Sequence, residues 1–100
     1  MKTDNILSTL GLALRAGKVV SGEFMTENAV KSHQAQLVVI ATDVSDNTRK
    51  KFHNMCEFHQ VAIREYATKD DLGHSLGKEF RASLAVTDEG FAKAILKKMD

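Results

Sequence analysis

One hundred residues, 43% apolar and 27% charged, leave room for one domain around one core and exclude two. A formal charge of +1 makes the field of the whole molecule nearly neutral, so any polyanion has to be held by local clusters of Lys and Arg and not by a broad basic surface. The lone Cys56 has no internal disulfide partner and suits a reducing compartment, and the short apolar stretch near the N-terminus, broken by Asp4, Asn5 and Arg15, is not expected to be a leader or a membrane span. The expectation is a cytoplasmic monomer away from membranes.

Leu7, Leu10 and Leu14, with Ile6 and Gly11 between them, repeat at helical spacing and predict a first helix over Lys2 to Ala16, ended by Gly17. Lys18 to Val20 reads as a short, edge-like strand. Gly22 then opens a second helix over Glu23 to Ser32, with Phe24, Ala29 and Val30 at approximately helical spacing. Leu37 to Ala41 is a continuous apolar run of strand length, the pattern of a strand buried on both faces.

Ser45 or Asp46 can cap a third helix running to about His59, with Phe52, Met55 and Cys56 inward and Arg49, Lys50 and Lys51 outward. Val61 to Tyr66 reads as a strand, Asp70 to Leu76 as a short helix and Ser83 to Thr87 as a strand. Asp88 caps a last helix that buries Phe91, Ala92, Ile95 and Leu96. Helices alternating with strands throughout predict an α/β fold: a three-layer α/β/α sandwich, with a four-stranded mixed sheet and helices on both faces, in a single domain over residues 1–100.

The segment Gly73-His74-Ser75-Leu76-Gly77 fits the G-x-S-x-G pattern of a hydrolase nucleophile elbow. That chemistry needs a strand before the turn and a histidine base after the serine. Here a polar helix start precedes it, and no histidine follows Ser75. His53, Cys56 and His59 recur every third residue of one helix, which spreads them over about 120° of its surface and leaves a tetrahedral metal without convergent ligands. Neither glycine fingerprint for nucleotide phosphates occurs. No enzyme activity, metal or cofactor is expected.

The stretch from Arg15 to Thr42 is more informative. A helix that starts at Gly22, directly after a strand, offers bare backbone N–H groups to an anion such as a nucleic-acid phosphate. Arg15, Lys18 and Lys31 bracket that glycine in sequence and can add charge to the same hold on a bent RNA backbone. Tyr66 at the end of the third strand, with Ala67 and Thr68 after it, forms a neighbouring loop on the same sheet edge, with Tyr66 either a contact residue or a closure of the core.

The segments LALRAGKVVSGEFMTENAVKS, LVVIATDVSDNTRKKF and DLGHSLGKEFRASLAVTDEGFAKAIL, in this order and over nearly the whole chain, resemble the small bacterial YlxQ-type ribosomal-protein-like family within the kink-turn RNA-binding superfamily. The resemblance implies an α/β/α sandwich that recognises a kinked RNA duplex by the N-terminus of its second helix and the loop after its third strand. On this chain that helix start is Gly22, Glu23, Phe24, Met25, Thr26, Glu27 and Asn28, and the loop is Tyr66, Ala67 and Thr68. Strong kink-turn binders carry an Asn-Glu pair and a Lys where this sequence has Phe24, Met25 and Asn28, which implies a weaker or differently shaped RNA target, with Phe24 either stacking on an unpaired base or packing the helix onto the sheet. The expected function is RNA binding in association with the ribosome, with structured RNA, ribosomal RNA included, and ribosomal or RNA-processing proteins as partners. The alternative is a protein-interaction module of the same fold that has lost the RNA determinants.

Overall fold

The structure is a computed structural model and describes residues 4–100. Helix α1 covers Asn5–Arg15, so the expected start at Lys2 lies outside the described residues. Asp4 is its N-cap and accepts the Ile6 and Leu7 amides, each at 2.9 Å. Strand β1 (Val19–Ser21) leads into α2 (Glu23–Lys31), β2 (Leu37–Ile40), α3 (Asp46–His59), β3 (Ala62–Glu65), α4 (Lys69–Ser75), β4 (Ser83–Val86) and α5 (Glu89–Met99).

The sheet runs in the order β1-β4-β2-β3. Strands β2 and β3 are parallel, whereas β4 is antiparallel to both neighbours, pairing Val19 with Val86 on one side and Leu37 with Val86 on the other. The central strands Leu37–Ile40 and Ser83–Val86 are buried at every residue, as a strand covered on both faces must be. On one face Leu37, Val39, Leu84 and Val86 pack with Leu10 of α1, Leu72 of α4 and Ile95 of α5. On the other, Val38, Ile40 and Ala85 meet Val30 of α2 and Phe52 and Cys56 of α3. This is the expected three-layer α/β/α sandwich with a mixed sheet.

Two side chains depart from the expected pattern. Phe24 does not pack α2 onto the sheet: it is 76% exposed, and the buried position in that turn belongs to Thr26, whose hydroxyl lies 3.2 Å from that of buried Ser83. Arg49 is not a free outward cation, because it is held by Asp46, by Glu65 and by the Thr42 carbonyl, each at 3.0 Å. Among the described residues no helix is long and apolar enough to cross a membrane.

Candidate functional site

Strands β1, β2 and β3 all run toward one edge of the sheet, so the loops that follow them gather there. At the first of these loops Gly22 takes φ +92°, a conformation that a side chain would strain. Its amide is not free. It donates to the Ser83 carbonyl at 3.0 Å and fixes the turn to the start of β4, so the bare donors begin one residue later than the sequence suggests. Gly22 is the N-cap and no side chain caps α2, which leaves the Glu23, Phe24 and Met25 amides to solvent or to a ligand, the Thr26 amide being the first to bond back, to the Gly22 carbonyl at 2.9 Å.

The other loops are bonded into the same edge. The Ala67 carbonyl accepts both the amide (2.8 Å) and the hydroxyl (3.0 Å) of Thr42, and the Lys69 amide donates to Asp43 Oδ1 at 2.9 Å. Arg81 joins this pair of loops to the Gly22 turn: its amide donates to the Lys69 carbonyl at 2.9 Å and its Nε to Ser21 Oγ at 3.0 Å. The edge is therefore continuous from the start of α2, through Arg81, to the Ala67 loop. Ala67 holds φ +65°, unusual for a residue with a side chain, while its carbonyl carries the two bonds from Thr42.

Of the residues expected at this site, Gly22, Glu23, Phe24, Ala67 and Thr68 lie at the edge. Phe24 and Asn28, four residues apart, are both exposed on one face of α2. Glu23 is less free than its position suggests, because Lys51 of α3 binds it at 2.8 Å and Glu27 at 3.0 Å, and both contacts raise the Lys51 pKa. Thr68 is the N-cap of α4, accepting the Asp71 amide at 3.1 Å. Tyr66 is half-buried, and its hydroxyl donates to Asp4 Oδ2 at 2.6 Å, so it anchors the loop to the α1 cap.

Arg15, Lys18 and Lys31 are not brought to Gly22. Strand β1 carries the chain away from Lys18 before it reaches the glycine, and Lys31, at the far end of nine-residue α2, is about 13 Å away along the helix axis. All three belong to the opposite edge. Thr42, Asp43, Lys69 and Arg81, by contrast, are edge residues that the sequence reading did not single out. Their only signal is position: Thr42 and Asp43 follow the end of β2, Lys69 opens α4 and Arg81 comes just before β4.

The remaining motifs resolve structurally. Ser75 lies in the last turn of α4 and donates to the Leu72 carbonyl at 2.7 Å, so it is no nucleophile on an elbow. Gly73 and Gly77 have separate packing and turn reasons. A Cβ on Gly73 would lie 2.3 Å from Phe80 Cα, and Gly77 takes φ +71° in a helix-ending turn closed by the Gly77 and Lys78 amides. Cys56 is fully buried, and burial pushes its thiol up to about 11, the state of an unreactive core residue. His53 and Arg49 both bind Glu65 and hold its carboxyl below the usual range.

Residues 4–96 match the Ribosomal protein L7Ae/L30e/S12e/Gadd45 family. The RNA-binding protein YlxQ of Bacillus subtilis (strain 168) is 42% identical over 91 residues, which are 91% of this chain and 91% of that protein. The large ribosomal subunit protein eL30 of Trypanosoma brucei brucei is 29% identical over 89% of this chain and 87% of its own length. A solved structure of a protein with unknown function from Bacillus halodurans C superposes with a TM-score of 0.91 at 32% identity, covering 95% of this chain and 96% of that one. Matched over nearly its whole length, the chain belongs to the Ribosomal protein L7Ae/L30e/S12e/Gadd45 family.

Proposed function

We propose that this chain is a non-enzymatic, ribosome-associated RNA-binding protein, one domain acting as a monomer in the cytoplasm, that takes structured RNA on the edge running from Gly22 to Thr68. The observation that carries the reading is the uncapped start of α2, tied through Arg81 to the Ala67 loop, in a chain whose relatives include an RNA-binding protein and a ribosomal protein. Bare amides and the Arg81 guanidinium suit phosphate oxygens, and an exposed Phe24 suits the face of an unpaired base. Tyr66 and Thr68 then position the loop and need not touch the RNA.

The test is a titration with a kink-turn RNA and a straight duplex of equal length at several salt concentrations. Preference for the kinked RNA, carried by the Gly22 edge, is expected. The Asn28→Lys variant should tighten that binding by roughly tenfold, the effect of about 1.4 kcal/mol from one added phosphate or base contact. Equal and negligible binding of both RNAs sinks the reading.

One observation favours a second reading. Phe24 and Met25 are both exposed apolar residues on the first turn of α2, a pairing suited to a protein partner. On that reading Phe24→Ser abolishes capture of a ribosomal or RNA-processing protein and leaves RNA affinity untouched.

A further inference from the structure

The sheet edge opposite Gly22 gathers the cations that the proposed RNA edge leaves unused. Lys18 follows α1 and opens onto β1, and its carbonyl accepts the Thr87 amide at 2.8 Å. The loop after α2 reaches the same place, where the Gln36 amide donates to the Val86 carbonyl at 2.8 Å. Val86 and Thr87 thus join the α1–β1 turn to the α2–β2 loop. Arg15 ends the helix on one face of the sheet and Lys31 the helix on the other, with Lys18 at sheet level between them. This end of the sheet therefore carries a cationic residue from each of the three layers, all exposed, with the Arg15 guanidinium lying back along α1 beside Gly11.

No ion pair involves Arg15, Lys18 or Lys31 among the described residues, whereas Arg49, Lys51, Arg64 and Lys93 are each paired. The two segments that build the corner, residues 5–22 and 28–42, contain no Asp or Glu. Of the acids on the other elements that end here, Asp88 caps α5 by accepting the Phe91 amide, Glu89 is bound by Lys93 at 2.8 Å, and Glu57 lies on the far helix α3. Helix dipoles favour a cation in the last turn of α1 and of α2, but this leaves Lys18 unexplained. Nor do the helix carbonyls consume the charged heads. Those of Ala13 and Leu14 already accept the Lys18 and Gly17 amides, and those of Ala29 and Val30 the Gln34 and His33 amides.

We infer that this corner is a second RNA-binding surface, which takes the phosphate backbone of a separate RNA segment while the Gly22 edge holds the first. The inference rests on the RNA-binding reading for the nature of the ligand but uses none of its residues. Three unpaired cations with no acid between them, next to the amide-bearing side chains of Gln34 and Gln36, match a polyphosphate strand that needs positioning and no base readout. A protein with contacts at both ends of its sheet joins two RNA segments, and the second contact gains from effective concentration once the first is made.

The test uses the full chain with its Gly22 edge saturated by unlabelled kink-turn RNA, then titrated with a labelled straight RNA duplex across a salt series. The complex should take up the duplex with a log–log salt slope of about −2 to −3, the value for three neutralised phosphates. The variant Arg15→Gln/Lys18→Gln/Lys31→Gln should lose this uptake at least tenfold and still hold the kink-turn RNA. A control with the same change in charge, Lys78→Gln/Lys97→Gln/Lys98→Gln, which leaves the Lys93–Glu89 pair intact, should keep it.

Equal loss in the control overturns the inference, because net charge alone is then responsible. Uptake unchanged in the corner variant also overturns it, as does competition by polyglutamate equal to that of RNA, which would make the corner a site for acidic proteins. If the free protein binds no kink-turn RNA yet loses the duplex in the corner variant alone, the Gly22 reading fails and this one stands.

Discussion

Tyr66 is the only tyrosine and the chain has no tryptophan, so its ionisation can be followed by phenolate absorbance without interference. Its bond to Asp4, with burial adding to the effect, pushes the phenol up to about 12. Burial alone would raise the Asp4 carboxyl, but the Tyr66 hydroxyl and the Leu7 and Ile6 amides outweigh it and hold the carboxyl below the ordinary value. The signs follow from linkage. The raised phenol gives stability that is complete below its unfolded value near 10 and lost as pH rises toward about 12. The depressed carboxyl gives stability that is present above its unfolded value and lost as pH falls through the folded one. Asp4→Asn should bring the phenolate midpoint back toward 10, and a wild-type midpoint already at 10 would show that the bond is not made. Gly73 makes an equally sharp case at the scale of one atom. Its Cβ has no space against the Phe80 backbone, so Gly73→Ala should cost about 3 kcal/mol in urea unfolding, and a loss under about 0.5 would mean that the Phe80 loop yields freely.

At the scale of elements, helix ends separate what was legible from what was not. Gly17 and Gly77 sit where a left-handed residue closes α1 and α4, and both are readable because glycine is the residue that conformation favours. Helices α2 and α3 end in the same way at His33 (φ +63°) and Gln60 (φ +58°), where residue type gives no signal. Their ends could be placed only by the apolar strands that follow. A left-handed non-glycine residue costs about 1 kcal/mol, partly offset in the unfolded chain by the lower entropy of a residue with a side chain. Gln60→Gly should therefore raise stability by up to about 1 kcal/mol, read as a higher thermal midpoint, and a fall would mean that the Gln60 side chain makes a contact worth more than the strain. The strands were legible for the opposite reason: the apolar runs at Leu37 and Ser83 are buried from both sides, and no local choice competes with that pattern. Phe24 was misleading because helical periodicity counts apolar residues without saying whether a residue at the end of a helix faces the sheet or the solvent.

Across the whole molecule, the candidate site was legible where it is local and illegible where it depends on topology. Gly22 announces a turn by its residue type, but that Arg81 reaches Ser21, or that Lys31 ends on the far edge, follows from strand order and from the direction of α2, which no short segment encodes. The same holds for charge. Arg49 and Lys51 look like free cations in sequence, yet folding sets each against two carboxylates, so the Gly22 edge is less positive than its composition suggests. Glu23 and Glu27 thereby withhold the Lys51 ammonium from a ligand arriving at the start of α2. Replacing both with Gln raises the formal charge by two from +1 and releases that ammonium within reach of the bare amides. Exposed pairs of this kind contribute about 0–1 kcal/mol each, so the double variant should fold with little loss. Its affinity for kink-turn RNA should rise severalfold at low salt, with a log–log salt slope steeper by about 0.9 for each phosphate that Lys51 newly neutralises. A folded double variant whose affinity and slope match wild type would place the RNA away from the start of α2 and send the search for its contacts to the Arg81 and Ala67 end of the edge.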